Sequence, residues 1–203
     1  MDNDEFKKGT TTIGLLCKDG IVLAAETRAT MGNMIANKDV DKIFRIQDHL
    51  GMTIAGAVAD AQKLARYMQV ETSLWQIERG TPMKVDSAVT LLSNILHSNK
   101  YFPYYVQLLV GGYDANGPKL YSLDALGSML EEKSVSTGSG SPFAYGVIED
   151  KFSENKSIED NIRVAVHALK AAMERDSFSG NSMNIVTITK DGFQKINPAD
   201  YLK

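Results

Sequence analysis

Cysteine is almost missing from this chain. Cys17 is the single thiol in 203 residues, so no internal disulfide can form. The three histidines, His49, His97 and His167, are scattered, and no zinc-ligand spacing is present. Such thiol usage fits a reducing compartment, and a cytoplasmic location is expected. No apolar run approaches the roughly 18 residues that span a bilayer. Met1–Lys8 is charged where a secretion signal would be apolar. Lys plus Arg number 22 against 25 Asp plus Glu, a net charge of −3 with no basic block. Membranes and nucleic acids are therefore not expected partners. Linkers and fixed-period repeats are absent as well, which argues for one domain.

Several catalytic signatures are lacking too. Thr137-Gly-Ser-Gly-Ser-Pro142 contains G-x-G but no third glycine, so it is not a dinucleotide fingerprint. No phosphate-binding P-loop occurs, and no Ser-His-Asp or Cys-His constellation stands out by spacing. What is present is an ordinary globular composition, 43 % hydrophobic and 23 % charged.

Residues 1–9 read as a polar tail ending in glycine. Alternation from Thr10 to Cys17 predicts a strand, and Lys18-Asp19-Gly20 predicts a hairpin turn into the apolar run Ile21–Ala25. That second strand should be buried on both faces. Further strands are expected at Val40–Ile46 and Met52–Val58. Ala61, Leu64, Met68, Thr72 and Trp75 mark a helix that Gly80 stops. Thr81-Pro82 should open a second helix, with Val85, Val89, Leu92 and Leu96 on one stripe. Strands return at Val106–Val110 and Lys119–Leu123 around a glycine-rich turn, then at Lys133–Thr137. One helix should run from Ser141 to about Phe152. A longer one follows a Ser157/Asp160 capping box, with Ile158, Ile162, Val166, Leu169 and Met173 inward. A hairpin, Asn184–Thr189 with Phe193–Ile196, closes the chain. Hairpins alternating with helix pairs imply antiparallel sheets carrying helices on their outer faces, an α+β fold.

Four residues break local rules. Period 2 puts Lys42 on the face of Val40, Phe44 and Ile46. It is either an inward lysine that needs a partner or one that snorkels at a sheet edge. Glu26 ends a buried run on the face of Val22 and Ala24. It is either that partner or the first solvated residue of a loop. Asp176 sits at a helix C-terminus, where the macrodipole disfavours a carboxylate by about 0.3–1 kcal/mol. Ser139 lies in a plain turn or in a loop facing a site. Cys17 and most methionines read as core. Thr10, Thr11 and Thr12 are explained by β-propensity alone.

Ordered motifs nevertheless accumulate along the chain. They are Gly9-Thr10-Thr11-Thr12-Ile13-Gly14, Lys42 in its strand, Gly51-Met-Thr-Ile-Ala-Gly56, Asp60-Ala-Gln62 and Thr90-Leu-Leu-Ser-Asn94. Leu109-Val-Gly-Gly-Tyr113, Thr137-Gly-Ser-Gly-Ser-Pro142 and Arg175-Asp-Ser-Phe-Ser-Gly180 follow. Together, from Gly9 onward, they resemble the β subunits of the proteasome core particle, closest to the archaeal type.

The resemblance implies a four-layer αββα sandwich of the N-terminal-nucleophile hydrolase type. Residues 1–9 would be a propeptide removed by self-cleavage after Gly9, and residues 10–203 the catalytic domain. Thr10 would be the nucleophile and its freed α-amino group the base. Lys42 would lower the amine pKa, and Glu26, where most members carry Asp, would hold Lys42. Gly56 would offer its N–H to the oxyanion, while Ser139, Asp176 and Ser179 orient the amine and a water. Ala29, Val40, Phe44, Ile54 and Val58 would form an uncharged pocket for a large apolar residue before the cut. Asp124 would reach the neighbouring subunit's pocket. The resemblance further implies a seven-fold ring, two β rings back to back, capping α subunits, ATPase regulators docked through the α ring and unfolded proteins as substrates. It implies no metal and no organic cofactor. Three other readings remain: a silent ring subunit, a self-processing small-amide hydrolase, and a two-ring protease without α subunits.

Overall fold

The computed structural model describes residues 9–202, so the expected propeptide, apart from Gly9, lies outside the described residues. Strands β1 (Thr12–Cys17), β2 (Gly20–Glu26), β10 (Ser134–Thr137), β11 (Met183–Thr189) and β12 (Gly192–Ile196) form one sheet in the order β10-β1-β2-β11-β12. Strands β5 (Ile43–Gln47), β6 (Leu50–Gly56), β7 (Val106–Asp114), β8 (Gly117–Leu123) and β9 (Met129–Glu131) form the second in chain order. Every pairing is antiparallel. Helices α1 (Val58–Arg79) and α2 (Val85–Ser98) pack on the second sheet. Helices α3 (Ser141–Lys151) and α4 (Ile158–Arg175) pack on the first. The result is the expected αββα sandwich.

Strand β2 is central, and all seven of its residues are buried, as its continuous apolar run requires. Val22 and Ala24 turn toward α3 and α4, while Ile21, Leu23 and Ala25 turn toward the other sheet. Between the sheets these meet Ile43, Leu109, Leu120, Val135, Val186 and Ile188. Ser157 caps α4 as expected, with Asp160 N–H donating to Ser157 Oγ at 3.2 Å, but the Asp160 carboxylate accepts from the Ser157 hydroxyl at 2.8 Å instead of from the backbone N–H that would complete a capping box. Gly80 ends α1 in the left-handed conformation, φ 71°.

Several elements differ from expectation. Strand β7 runs straight through Gly111, Gly112 and Tyr113, which read as a turn; the reversal comes at residues 115–116. The glycines are there for space: a Cβ at Gly111 would lie 2.7 Å from Ile21 Cγ2 in the facing sheet. Helix α2 begins at Val85 instead of Thr81-Pro82. The carboxylate of Asp114, the last residue of β7, accepts the Val85 N–H at 2.9 Å and fixes the start. Val58 opens α1 instead of ending β6. Residues 40–42 lie just ahead of β5, and the lysine reaches the site from there. The hairpin of β3 (Ala29–Met31) and β4 (Met34–Asn37) was not expected, nor were β9 and the 3-10 turn Pro198–Tyr201.

Candidate active site

Thr10 sits at the mouth of the first sheet, two residues before β1, and is 4 % exposed. Its hydroxyl donates to the Gly9 carbonyl at 2.7 Å and accepts from Lys42 Nζ at 3.1 Å. Lys42 also donates to the Arg28 carbonyl at 2.6 Å and forms an ion pair with Glu26. The inward reading of Lys42 is therefore the right one, and it is 7 % exposed.

Glu26 is fully buried at the end of β2. Besides Lys42 it accepts three backbone N–H bonds, from Thr11 at 3.2 Å, Arg28 at 2.7 Å and Gly180 at 3.1 Å. Burial pushes the Lys42 ammonium below its ordinary value, and the attraction of Glu26 opposes this without cancelling it.

A second chain of bonds approaches Thr10 from the other side. The Thr10 N–H donates to Ser139 Oγ at 3.3 Å, and Ser139 Oγ donates to Asp176 Oδ2 at 2.6 Å. Ser179 Oγ donates to the same oxygen at 2.6 Å. Its contact with Thr11 Oγ1, at 2.7 Å, must then carry the Thr11 proton. Asp176 caps α4, and the bonds from Ser139 and Ser179 offset the unfavourable dipole there.

A cavity of about 220 Å³ opens beside Thr10 and Lys42. Ala29, Val40, Phe44, Ile54 and Val58 all line it, with Gly56 at its edge. The expectation of an uncharged wall needs correcting, because Arg28 and Asp41 line it too. The heads of both have other partners: the Arg28 guanidinium donates to Asn181 and to the Ser177 carbonyl, and Asp41 accepts from Asn184 at 2.7 Å. Asp124 is not in this cavity. It lines a second one with Gly9, Gly56, Ser139 and Phe178, and its carboxylate holds its own turn through the N–H groups of Leu126 and Ser128.

The sequence reading missed four contributors. Thr11 ties the first strand to Ser179, the Arg28 carbonyl fixes Lys42, and Gly180 braces Glu26. Gly138, at φ 91°, lets the backbone pass Thr10; a Cβ there would lie 1.9 Å from the Thr10 carbonyl oxygen. Only glycine tolerates both demands. For Thr11, Gly138 and Gly180 the one available signal was their presence in motifs already quoted; Arg28 lies in none of them, and a role for its carbonyl left no mark in the sequence. Among the described residues no group of three or more His, Cys, Asp and Glu could hold a metal, and no helix is long and apolar enough to cross a membrane.

Two antiparallel sheets between helix pairs, with a threonine and a buried lysine at the mouth of the sandwich, define the class of N-terminal-nucleophile hydrolases. A family model described as "Proteasome subunit" matches residues 6–188. The "Proteasome subunit beta" of Methanohalophilus mahii is 53% identical over 201 residues, 98% of this chain and 96% of that one. Its counterpart in Methanothermobacter thermautotrophicus is 48% identical over 204 residues, 100% and 97% of the two chains. That of Archaeoglobus profundus is 53% identical over 195 residues, 96% and 91%. The chain belongs to the proteasome family as a β-type subunit, a threonine endopeptidase. A small-amide hydrolase is thereby excluded.

Proposed function

We propose that this chain cuts itself between Gly9 and Thr10 and then hydrolyses unfolded proteins, with Thr10 as nucleophile. The observation that carries the reading is the hydroxyl of Thr10, held between Lys42 Nζ and the Gly9 carbonyl. Attack of that hydroxyl on the Gly9 carbonyl carbon forms an ester as the C–N bond breaks, and the hydroxyl proton passes to the Thr10 nitrogen. Water then cleaves the ester and releases residues 1–9 as an acid. The freed amine becomes the base for later substrates. An amine of pKa about 7.7–8.0 falls further beside an ammonium such as Lys42. Glu26 holds Lys42, while Ser139, Asp176 and Ser179 hold the amine and a water. The Gly56 N–H receives the oxyanion, an interaction worth roughly 100- to 1,000-fold in rate. No metal or organic cofactor enters this scheme.

N-terminal sequencing and intact-mass measurement of assembled protein test the cut. A chain beginning at Thr10 is expected, and Thr10→Ala should keep residues 1–9, lose hydrolysis and retain its circular dichroism. A start elsewhere rejects the mechanism, and retention of residues 1–9 by the unaltered chain would indicate a silent subunit.

The apolar cavity supports cutting after Leu, Phe or Tyr. A large apolar side chain gains about 1.5–3 kcal/mol on burial there. A basic or acidic one would be buried with cavity charges already partnered, at a cost of several kcal/mol. Fluorogenic peptides differing only before the cut decide this; equal or faster cleavage after Arg or Glu overturns it. Ala29→Phe should shift preference toward small residues.

Assembly belongs to the same proposal: a seven-fold β ring, paired back to back, capped by α subunits that admit ATPase regulators, with Asp124 reaching a neighbour's pocket, all in the cytoplasm. Native mass spectrometry after mixing with α subunits tests it. Particles free of α subunits would favour the two-ring alternative.

A further inference from the structure

We propose that Phe178 is the specificity-determining residue that restricts the position before Thr10 to glycine, so that it governs the self-processing cut. The inference rests on the reading that Thr10 attacks the Gly9 carbonyl. A Cβ added at Gly9 would lie 1.8 Å from Phe178 Cβ, 2.5 Å from Phe178 Cγ and 2.7 Å from Ser139 Oγ. Real Cβ atoms do not approach another carbon so closely, so any other residue at position 9 must displace something.

Neither side gives way freely. Gly9 is tied through its carbonyl to the Thr10 hydroxyl at 2.7 Å. Phe178 stands between the two residues that form the carboxylate–hydroxyl pair of the site. Its N–H donates to Asp176 Oδ1 at 3.3 Å, and the next residue, Ser179, donates its hydroxyl to Oδ2. The Ser179 N–H also returns to the Asp176 carbonyl at 3.1 Å. Moving the Phe178 backbone therefore shifts the carboxylate to which Ser139 donates, and Ser139 accepts the Thr10 N–H. Lifting the Gly9 carbonyl instead takes the scissile carbon away from the attacking oxygen. The ring is half-buried and shares the second cavity's wall with Gly9, Gly138 and Ser139.

This restriction acts once. Residue 9 leaves with the cut, so a Gly9→Ala chain that does process ends as the same mature protein. Effects on cutting are thereby separated from effects on peptide hydrolysis.

The test uses four full-length chains, each assembled with its α-type partner: unaltered, G9A, F178G and G9A/F178G. Intact mass against time gives the rate of the Gly9–Thr10 cut, and a peptide assay on the processed product reports whether the site is intact. Overpacking of this degree should slow G9A by about ten- to a hundredfold. F178G removes both close carbons and leaves Ser139 Oγ at 2.7 Å, so adding G9A to F178G should slow the cut by a smaller factor than adding it to the unaltered chain. Should F178G itself not be cut, F178A takes its place. It removes the ring and leaves Cβ, and it should rescue G9A in part. Cutting of G9A at the unaltered rate, or no gain from either Phe178 variant, overturns the role of Phe178. Failure of the unaltered chain to cut after Gly9 rejects the underlying reading instead.

Discussion

Lys42 is a buried ammonium held by Glu26, the Arg28 carbonyl and the Thr10 hydroxyl. Lys42→Ala should lower peptide hydrolysis by roughly 100- to 10,000-fold, within the range for a positioned proton-handling group. Circular dichroism should show the fold retained. Glu26 is the group that suffers in that variant: it keeps its three backbone donors but loses its ionic partner. In the unaltered protein burial lowers the Lys42 pKa from 10.5. If activity needs a neutral amine and a charged Lys42, kcat/KM falls at alkaline pH along a limb below 10.5. Glu26→Gln removes the attraction that raises the Lys42 pKa and should move that limb lower still. A limb at or above 10.5 contradicts the charged-lysine role. Stability moves the opposite way to activity: between the folded and unfolded pKa the unfolded chain holds more protons, so stability from this group rises with pH through that window. Cys17 is inert by contrast, because burial pushes its thiol up to about 12.

Elements with a buried face and a regular period were legible in the sequence; elements without one were not. The apolar run of β2 and the stripes of α1 and α4 specify burial directly, and those elements form where expected. Strands β3 and β4 carry exposed Met31, Met34 and Ile35, leaving no alternation to read. Gly111 and Gly112 misled because a glycine pair reads equally as a turn or as room for a neighbour. At the site, Lys42 and Glu26 were conspicuous as charges among apolar residues. Thr11 and Gly138 were not, since a threonine in a strand and a glycine in a loop are ordinary. Gly138→Ala tests the latter. The left-handed backbone and the Thr10 carbonyl both oppose a Cβ, so a loss of about 1–3 kcal/mol is expected by denaturant titration, with slower self-cutting.

Over the whole molecule, stability depends on how closely two sheets approach. A Cβ at Gly14 would lie 2.7 Å from Leu120 Cδ1, and Gly111 meets Ile21 equally closely. Gly111→Val should therefore wedge the sheets apart and cost about 1–3 kcal/mol. Gly146, inside α3, has nothing within 4 Å, so Gly146→Ala should stabilise by about 0.5–1 kcal/mol. Melting temperatures moving in opposite directions would bear out the contrast. In the uncut chain the Thr10 nitrogen is a peptide amide, its lone pair delocalised into the Gly9 carbonyl, so it has none to offer as a base. On the proposed chemistry the tool for every later turnover comes into existence only when the first bond breaks. The scissile bond and its attacker are covalent neighbours, so that opening event is unimolecular. Its half-life within assembled particles should be the same at any dilution, a clock built into each subunit that runs down once and is not reset.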